Sequence, residues 1–90
     1  MKTKYKDRPE LSVGDIVMAT AGRDGGKYFL VVEAMGEYVR IADGRLRKMS
    51  KPKLKKNMHL AKLGRAQSIE FLDSPGGTAD AEIRKILKEV

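Results

Sequence analysis

The chain has 90 residues, a formal net charge of +7 and neither cysteine nor tryptophan. A chain of this length forms a single domain whose core is too small to enclose a deep substrate cavity. Hydrophobic residues make up 41% of the sequence, which is enough for globular folding and too many for a disordered tail. The lack of cysteine excludes disulfides and cysteine-based zinc sites.

Five short strands are predicted from runs of β-branched and aromatic residues that are bounded by glycine turns. Their predicted bounds are residues 13–20, 27–34, 37–43, 45–49 and 58–63. A polar, glycine-rich loop, residues 22–26, joins the first two strands. Asp43-Gly44 predicts a two-residue hairpin before the fourth strand, because a type I′ turn needs positive φ at both central positions. The lysines around Pro52 predict an irregular connection to the fifth strand.

Five strands at such close spacing favour a small barrel over a sandwich, which would need more strands. Beyond them, residues 78–90 predict a C-terminal helix with Thr78 as its N-cap. Its apolar residues recur at helical spacing and form one stripe, which we expect to pack on the barrel or to bind a partner. The stripe consists of Ala79, Ile83, Ile86, Leu87 and Val90. The predicted fold class is therefore mainly β: a small five-stranded barrel with a C-terminal α-helix.

This organisation divides the chain into four parts. We expect a flexible basic arm over residues 1–11, the barrel over residues 12–64, a linker over residues 65–77 and the helix over residues 78–90. The basic start of the chain is not followed by an apolar stretch, so we expect no secretory signal. The longest apolar run, Tyr28 to Val32, is too short to cross a membrane. We therefore expect a cytoplasmic protein with no membrane partner.

The core of the barrel is predicted from the strand patterns. In the third strand Val39 and Ile41 share one face, and Tyr38, Arg40 and Ala42 share the other. Three further residues of the second strand belong to a dense apolar run and are expected in the core: Phe29, Leu30 and Val32. Four methionines are expected to fill gaps in this small core. They are Met18, Met35, Met49 and Met58.

The positive charge is concentrated in one segment. Residues 44–65 carry nine of the 19 basic residues and none of the 12 acidic ones, so the rest of the chain is slightly acidic. The nine are Arg45, Arg47, Lys48, Lys51, Lys53, Lys55, Lys56, Lys62 and Arg65. A cluster of this kind repels itself unless a polyanion neutralises it, which favours nucleic acid over a merely solvated loop. An anionic membrane is the weakest candidate, since the segment lacks an amphipathic aromatic face.

Catalytic and metal sites have little support in the sequence. The chain has one histidine, His59, and no carboxylate lies near it in sequence to orient it. The remaining carboxylates are dispersed and show no metal-ligand spacing. The loop at residues 21–28 differs from a nucleotide phosphate-binding loop, since Tyr28 stands where that motif has Ser or Thr and a strand follows instead of a helix. We expect neither an enzyme nor a bound cofactor or metal.

The glycine-rich loop instead resembles the KOW motif, in which a strand headed by Gly-Asp leads through a basic glycine loop into a second strand. The matching residues are Gly14-Asp15, Gly22-Arg23-Asp24-Gly25-Gly26-Lys27 and the strand from Tyr28 to Ala34. Gly26 takes the place of the motif's hallmark glycine, where we expect a positive φ and room for a close approach by a partner. Arg23 and Lys27 flank it and are well placed for phosphate oxygens.

The resemblance extends over residues 13–63. This stretch is similar to the archaeal and eukaryotic large-subunit ribosomal proteins of the eL-fourteen family and to small bacterial KOW proteins. The shared features are Ala21–Lys27, a valine-rich strand, Asp43-Gly44, Arg45-Leu46-Arg47-Lys48, a lysine tract and His59-Leu60. The resemblance implies an SH3-like barrel that binds ribosomal RNA, and residues 78–85 resemble the helix after the barrel in archaeal members. The N-terminal arm and residues 67–77 do not match, which leaves open a permanent ribosomal component or a visitor to RNA.

The predicted RNA-binding residues are the cations of the glycine loop and of the basic segment, together with Gly26, Tyr38, Arg40 and His59. Lysine and arginine supply phosphate contacts, whereas bases are read by stacking and hydrogen bonds. Tyr38 shares a strand face with Arg40 and is a candidate platform for an unstacked base, with ordinary barrel packing an equal alternative. His59 is a candidate for stacking or simply a strand residue.

These predictions favour one function and leave one alternative. The first is a non-catalytic RNA-binding protein, associated with the ribosome and monomeric when free, with ribosomal RNA and ribosomal proteins as partners. The alternative is an SH3-like protein-interaction module of the transcription or translation machinery that uses the C-terminal helix.

Overall fold

The computed structural model describes residues 10–73 and 78–90. The expected flexible arm therefore lies outside the described residues up to residue 9, as does part of the expected linker, residues 74–77. The strands are β1 (Asp15–Ala19), β2 (Tyr28–Met35), β3 (Tyr38–Ala42), β4 (Lys53–Lys56) and β5 (Leu60–Arg65), and the helix is α1 (Thr78–Lys88). Two 3₁₀ segments, Asn57–His59 and Glu70–Asp73, precede and follow β5.

The five strands form one antiparallel sheet in the order β4-β3-β2-β1-β5. This confirms a mainly β protein with five strands and a C-terminal helix. No helix within residues 10–73 and 78–90 is long and apolar enough to cross a membrane.

One predicted strand is wrong. Residues 45–49 form an irregular loop, and the fourth strand is Lys53–Lys56, inside the predicted irregular connection. The cause is Asp43, whose Oδ1 accepts hydrogen bonds from the backbone N–H of Arg45 (2.8 Å) and of Arg47 (2.9 Å). The N–H of Asp43 in turn donates to the carbonyl of Arg47 at 2.9 Å. An aspartate that caps the following backbone in this way competes with hairpin formation.

Apolar side chains are buried on both faces of the sheet. The inner cluster is Leu11, Val17, Ala19, Phe29, Val31, Val39, Ile41 and Leu60. The outer cluster is Leu30, Ala42 and Ile83, with partly buried residues that include Ile16, Val32 and Phe71. The predicted core positions Phe29, Leu30 and Ile41 are confirmed, and Val32 is half-buried. Met35 and Met58 are 37% and 51% exposed, so the prediction that they fill the core is wrong.

Helix α1 packs its apolar stripe against the outer face of the sheet, where Ile83 meets Leu30 and Ala42. Two polar contacts fix it to the loop after β3. Asp80 Oδ1 accepts from the N–H of Met49 at 2.8 Å, and Arg84 Nη1 donates to the carbonyl of Gly44 at 2.6 Å. The helix is therefore an integral part of the fold.

Gly44 allows the helix to approach this closely. Its φ is +78°, and a Cβ there would strike the carbonyl oxygen of Asp80. Gly36, in the β2–β3 turn, has a similar φ of +70°, but a Cβ there would meet no atom within 4 Å.

These two glycines form a matched pair for a stability test. Gly36→Ala should lower the free energy of unfolding by about 1–2 kcal/mol, the cost of a side chain at positive φ. Gly44→Ala should cost about 2–5 kcal/mol, because the clash with Asp80 is added to that strain. Urea denaturation of both variants measures the difference. Equal losses would contradict the close packing of α1 on this loop.

Candidate nucleic-acid interface

Backbone hydrogen bonds fix the conformation of the glycine loop, residues 22–27. The N–H of Gly26 donates to the carbonyl of Ala19 (2.7 Å), and that of Lys27 donates to the carbonyl of Asp24 (2.9 Å). Gly26 has a φ of +85°, as predicted, and a Cβ there would meet nothing within 4 Å. The loop is thus fixed in shape while its backbone at Gly26 lies open to a partner.

The loop after β3, residues 43–49, lies beside the glycine loop. Arg47 Nη2 is 3.7 Å from Oδ2 of Asp24, a carboxylate that is largely buried. A cavity of about 320 Å³ separates the two loops. It is lined by Asp24, Lys27, Phe29, Asp43, Leu46 and Arg47. The buried carboxylate of Asp24 therefore holds together two loops that lie some twenty residues apart in sequence.

Strand β4 brings a further cation, Lys55, to the same place. Lys55 Nζ donates to the carbonyl of Ala21 at 3.5 Å, next to the start of the glycine loop. Lys53 and Lys55 pair with Ile41 and Val39 of β3, and both lysines are half-buried. Their aliphatic stems cover the edge of the inner core while their ammonium groups reach solvent.

The three segments form what we call the basic surface. It consists of Arg23, Lys27, Arg45, Lys48, Lys51, Lys53, Lys55 and Lys56. In the described part of the chain, no carboxylate lies within 4.0 Å of the charged nitrogens of these eight residues. Cations that no carboxylate neutralises raise the local positive potential and attract polyanions.

Tyr38 lies at the margin of the basic surface, on the outer face of the sheet. Its side chain is 39% exposed, and Lys56 Nζ lies 5.8 Å from the centroid of its ring. Met35 and Lys56 are its cross-strand partners, and Leu54 pairs with Arg40 next to it. An exposed ring beside a cation is the combination that stacks on nucleobases and contacts their phosphates.

Arg40 shares this face but is already in an ion pair. Its Nε lies 3.1 Å from Oε1 of Glu33 on β2. Both side chains are about half exposed, so water screens the pair.

Lys62 and Arg65 differ from the cations of the basic surface because both have a carboxylate partner. Both lie on β5. Arg65 Nη1 lies 2.9 Å, and Lys62 Nζ 3.5 Å, from Oδ1 of Asp15, which is completely buried. Asp15 Oδ2 also accepts from the N–H of Ser12 at 2.8 Å. These two cations compensate a buried charge.

His59 contacts the residue that follows β1, next to the glycine loop, through its backbone. It ends the 3₁₀ segment Asn57–His59 and is half-buried. Its backbone carbonyl accepts from the N–H of Thr20.

Three carboxylates that determine the surroundings of the cations are not predicted from the sequence. Asp24 positions Arg47, Asp43 shapes the loop that carries Arg45, and Asp15 binds Arg65. The Asp43-Gly44 pair carried a usable signal, since aspartate before glycine also favours a side-chain cap of the following backbone. Nothing in the sequence distinguishes Arg65 from Arg45.

Within residues 10–73 and 78–90, no group of three or more His, Asp or Glu side chains is arranged to hold a metal ion. The chain matches no protein-family model and no curated protein.

The different surroundings of Arg65 and Arg45 predict different effects of the same substitution. Arg65→Gln should lower the free energy of unfolding by about 2 kcal/mol, because the buried Asp15 carboxylate keeps only Lys62 and one N–H as partners. Arg45→Gln should change it by less than about 0.5 kcal/mol, since that side chain is exposed and unpaired in the described structure. Urea denaturation distinguishes the two, and equal stabilities would contradict a compensating role for Arg65.

Proposed function

We propose that this protein is a non-catalytic RNA-binding protein, associated with the ribosome, that contacts ribosomal RNA phosphates through the basic surface. The observation that carries the proposal is the convergence of three segments on one surface. Lys55 reaches the glycine loop, and Asp24 holds Arg47 beside it, so cations from separate parts of the chain lie together. Lysine and arginine gathered in this way bind phosphates and orient the nucleic acid.

The open backbone at Gly26 supports this binding mode. No atom lies within 4 Å of the position that a Cβ would take there. A phosphate or ribose can therefore approach the main chain between Arg23 and Lys27 without meeting a side chain at this position.

We further propose that the fold is an SH3-like barrel of the KOW type. The strand order β4-β3-β2-β1-β5, in which β1 pairs with both β2 and β5, is compatible with a small barrel. The position of Gly14-Asp15 at the start of β1 and of the glycine loop between β1 and β2 supports this proposal.

The alternative, a protein-interaction module that recruits its partner through the helix stripe, has less support. Ala79 and Ile83 are buried against the sheet, and Ile86 and Leu87 are half-buried. Ala79 and Ile83, the buried part of the stripe, are not available to a partner unless α1 leaves the sheet, which would expose the outer cluster to water.

Binding through phosphates makes affinity strongly dependent on salt. About six to ten neutralised phosphates give a log–log slope with salt concentration of about −0.7 to −0.9 per phosphate. Lys55→Gln/Lys56→Gln should weaken binding to all RNAs alike and make this slope less steep by about 0.7–0.9 for each phosphate that the variant no longer neutralises. Fluorescence anisotropy with labelled hairpin and single-stranded RNAs measures both effects.

The double variant Lys85→Gln/Lys88→Gln on α1 is the matched control, since it removes the same charge from residues outside the eight of the basic surface. It should leave affinity nearly unchanged. Equal losses of affinity from the two double variants would mean that only net charge matters and would contradict a localised interface.

Tyr38 predicts an effect that depends on unpaired bases. Tyr38→Ala should weaken binding to single-stranded RNA by about 1–3 kcal/mol, the value of one base stacked on an aromatic ring, and should leave binding to a blunt duplex unchanged. Tyr28→Ala is the control, because Tyr28 is 41% exposed, as Tyr38 is 39%, but has no predicted contact. Equal losses on duplex and single strands would contradict stacking by Tyr38.

A further inference from the structure

A second concave surface lies away from the basic surface, between β5 and the C-terminal half of α1. It encloses about 670 Å³. Its wall on the sheet side is the stretch Leu63–Ser68, and its floor includes Ile16 and Phe71. The opposite wall consists of Glu82 and Ile86 of the helix and of Glu89 and Val90, which follow it. We call it the β5–α1 groove.

The groove exists because the helix covers only part of the outer sheet face. Helix α1 packs over Leu30 and Ala42 of β2 and β3. The β5 side of the sheet stays uncovered, and Leu63 and Val90 remain 45% and 49% exposed. Apolar side chains on both walls are thus accessible, which is the usual condition of a binding surface.

One wall of the groove is a strand edge. Within the described residues β5 pairs only with β1 and stands last in the sheet order. An unpaired strand edge can accept an additional extended segment. Gly64, near the end of β5, lines the groove, and a Cβ there would meet no atom within 4 Å, which leaves room above the sheet for side chains of such a segment.

The charge around the groove is opposite to that of the basic surface. Glu70, Glu82 and Glu89 line it, and none of them has an ion-pair partner in the described part of the chain. The one cation in the lining, Arg65, is bound to Asp15. A protein with a net charge of +7 therefore carries an apolar groove whose unpaired charges are negative.

We propose that the β5–α1 groove binds a basic, extended segment of a protein partner, which adds to the edge of β5. Alternate apolar side chains of this segment pack on Ile16, Phe71 and Ile86, and its lysines or arginines face Glu82 and Glu89. RNA is excluded as an occupant by like-charge repulsion. The site is separate from the basic surface proposed to bind RNA, so the protein can hold RNA and a basic protein segment at the same time.

The probe is a fluorescein-labelled short peptide in which lysine alternates with leucine and valine. It should bind the full chain in anisotropy titrations. In ¹⁵N correlation spectra of the protein, the amide resonances that shift on addition of the peptide should be those of Leu63–Ala66 and of the end of α1. The same peptide with glutamate in place of lysine should not bind.

Two variants test the groove itself. Gly64→Ile fills the space above β5 with a residue that strands favour, and it should abolish peptide binding while leaving the melting temperature and RNA affinity unchanged. Glu82→Gln/Glu89→Gln should weaken peptide binding about fivefold, as expected for two exposed charge pairs. Glu37→Gln, outside the groove, is the control and should change nothing.

Three results would overturn the proposal. They are no binding of the lysine peptide, binding that Gly64→Ile leaves unchanged, and shifts confined to residues outside the groove. Because RNA affinity is measured on the same variants, failure of the groove and failure of the RNA-binding proposal are distinguishable.

Discussion

The buried carboxylate of Asp15 is the interaction on which the arrangement of the sheet and of its charges depends. It is fully enclosed at the start of β1, a strand paired on both sides. A charge in that position is tolerable only with partners, and it has three: the N–H of Ser12, Arg65 and Lys62. These interactions fix the entry of the chain into the sheet and hold β5 against β1.

Because a buried carboxylate needs cationic partners, the nine cations of residues 44–65 fall into two groups. In the sequence these nine cations lie in one segment that contains no acidic residue. Arg65 and Lys62 at its end compensate Asp15, and Arg47 is held by Asp24. The remaining six, with Arg23 and Lys27 of the glycine loop, make up the basic surface. Two aspartates, Asp15 and Asp24, therefore decide which of these cations are bound within the fold and which have no carboxylate partner in the described part of the chain.

Strands were predictable from the sequence where the alternation of apolar and polar side chains matches their burial in the folded protein. Val39 and Ile41 alternate with polar neighbours and are buried, and the positive φ of Gly26 followed from its place in a glycine-rich turn. The stripe of α1 was equally readable from its spacing. In each case a local pattern and a tertiary contact require the same residue type.

The fourth strand and the division of the cations could not be predicted in this way. Lys53–Lys56 has little intrinsic preference for a strand and acquires its conformation by pairing with β3. Residues 45–49 have a strand-like pattern, but the backbone N–H groups of Arg45 and Arg47 donate to the Asp43 side chain instead of to a neighbouring strand. The pairing of Arg65 with Asp15 joins residues fifty positions apart, and no local signal encodes it.

We propose above that the basic surface holds this protein on ribosomal RNA. The most direct test is a sucrose-gradient profile of a cell lysate in which the protein is detected in each fraction at low salt. We expect the protein to co-migrate with the large ribosomal subunit. In the Lys55→Gln/Lys56→Gln variant this co-migration should be reduced or abolished. Absence of the unaltered protein from every ribosomal fraction at low salt would contradict it.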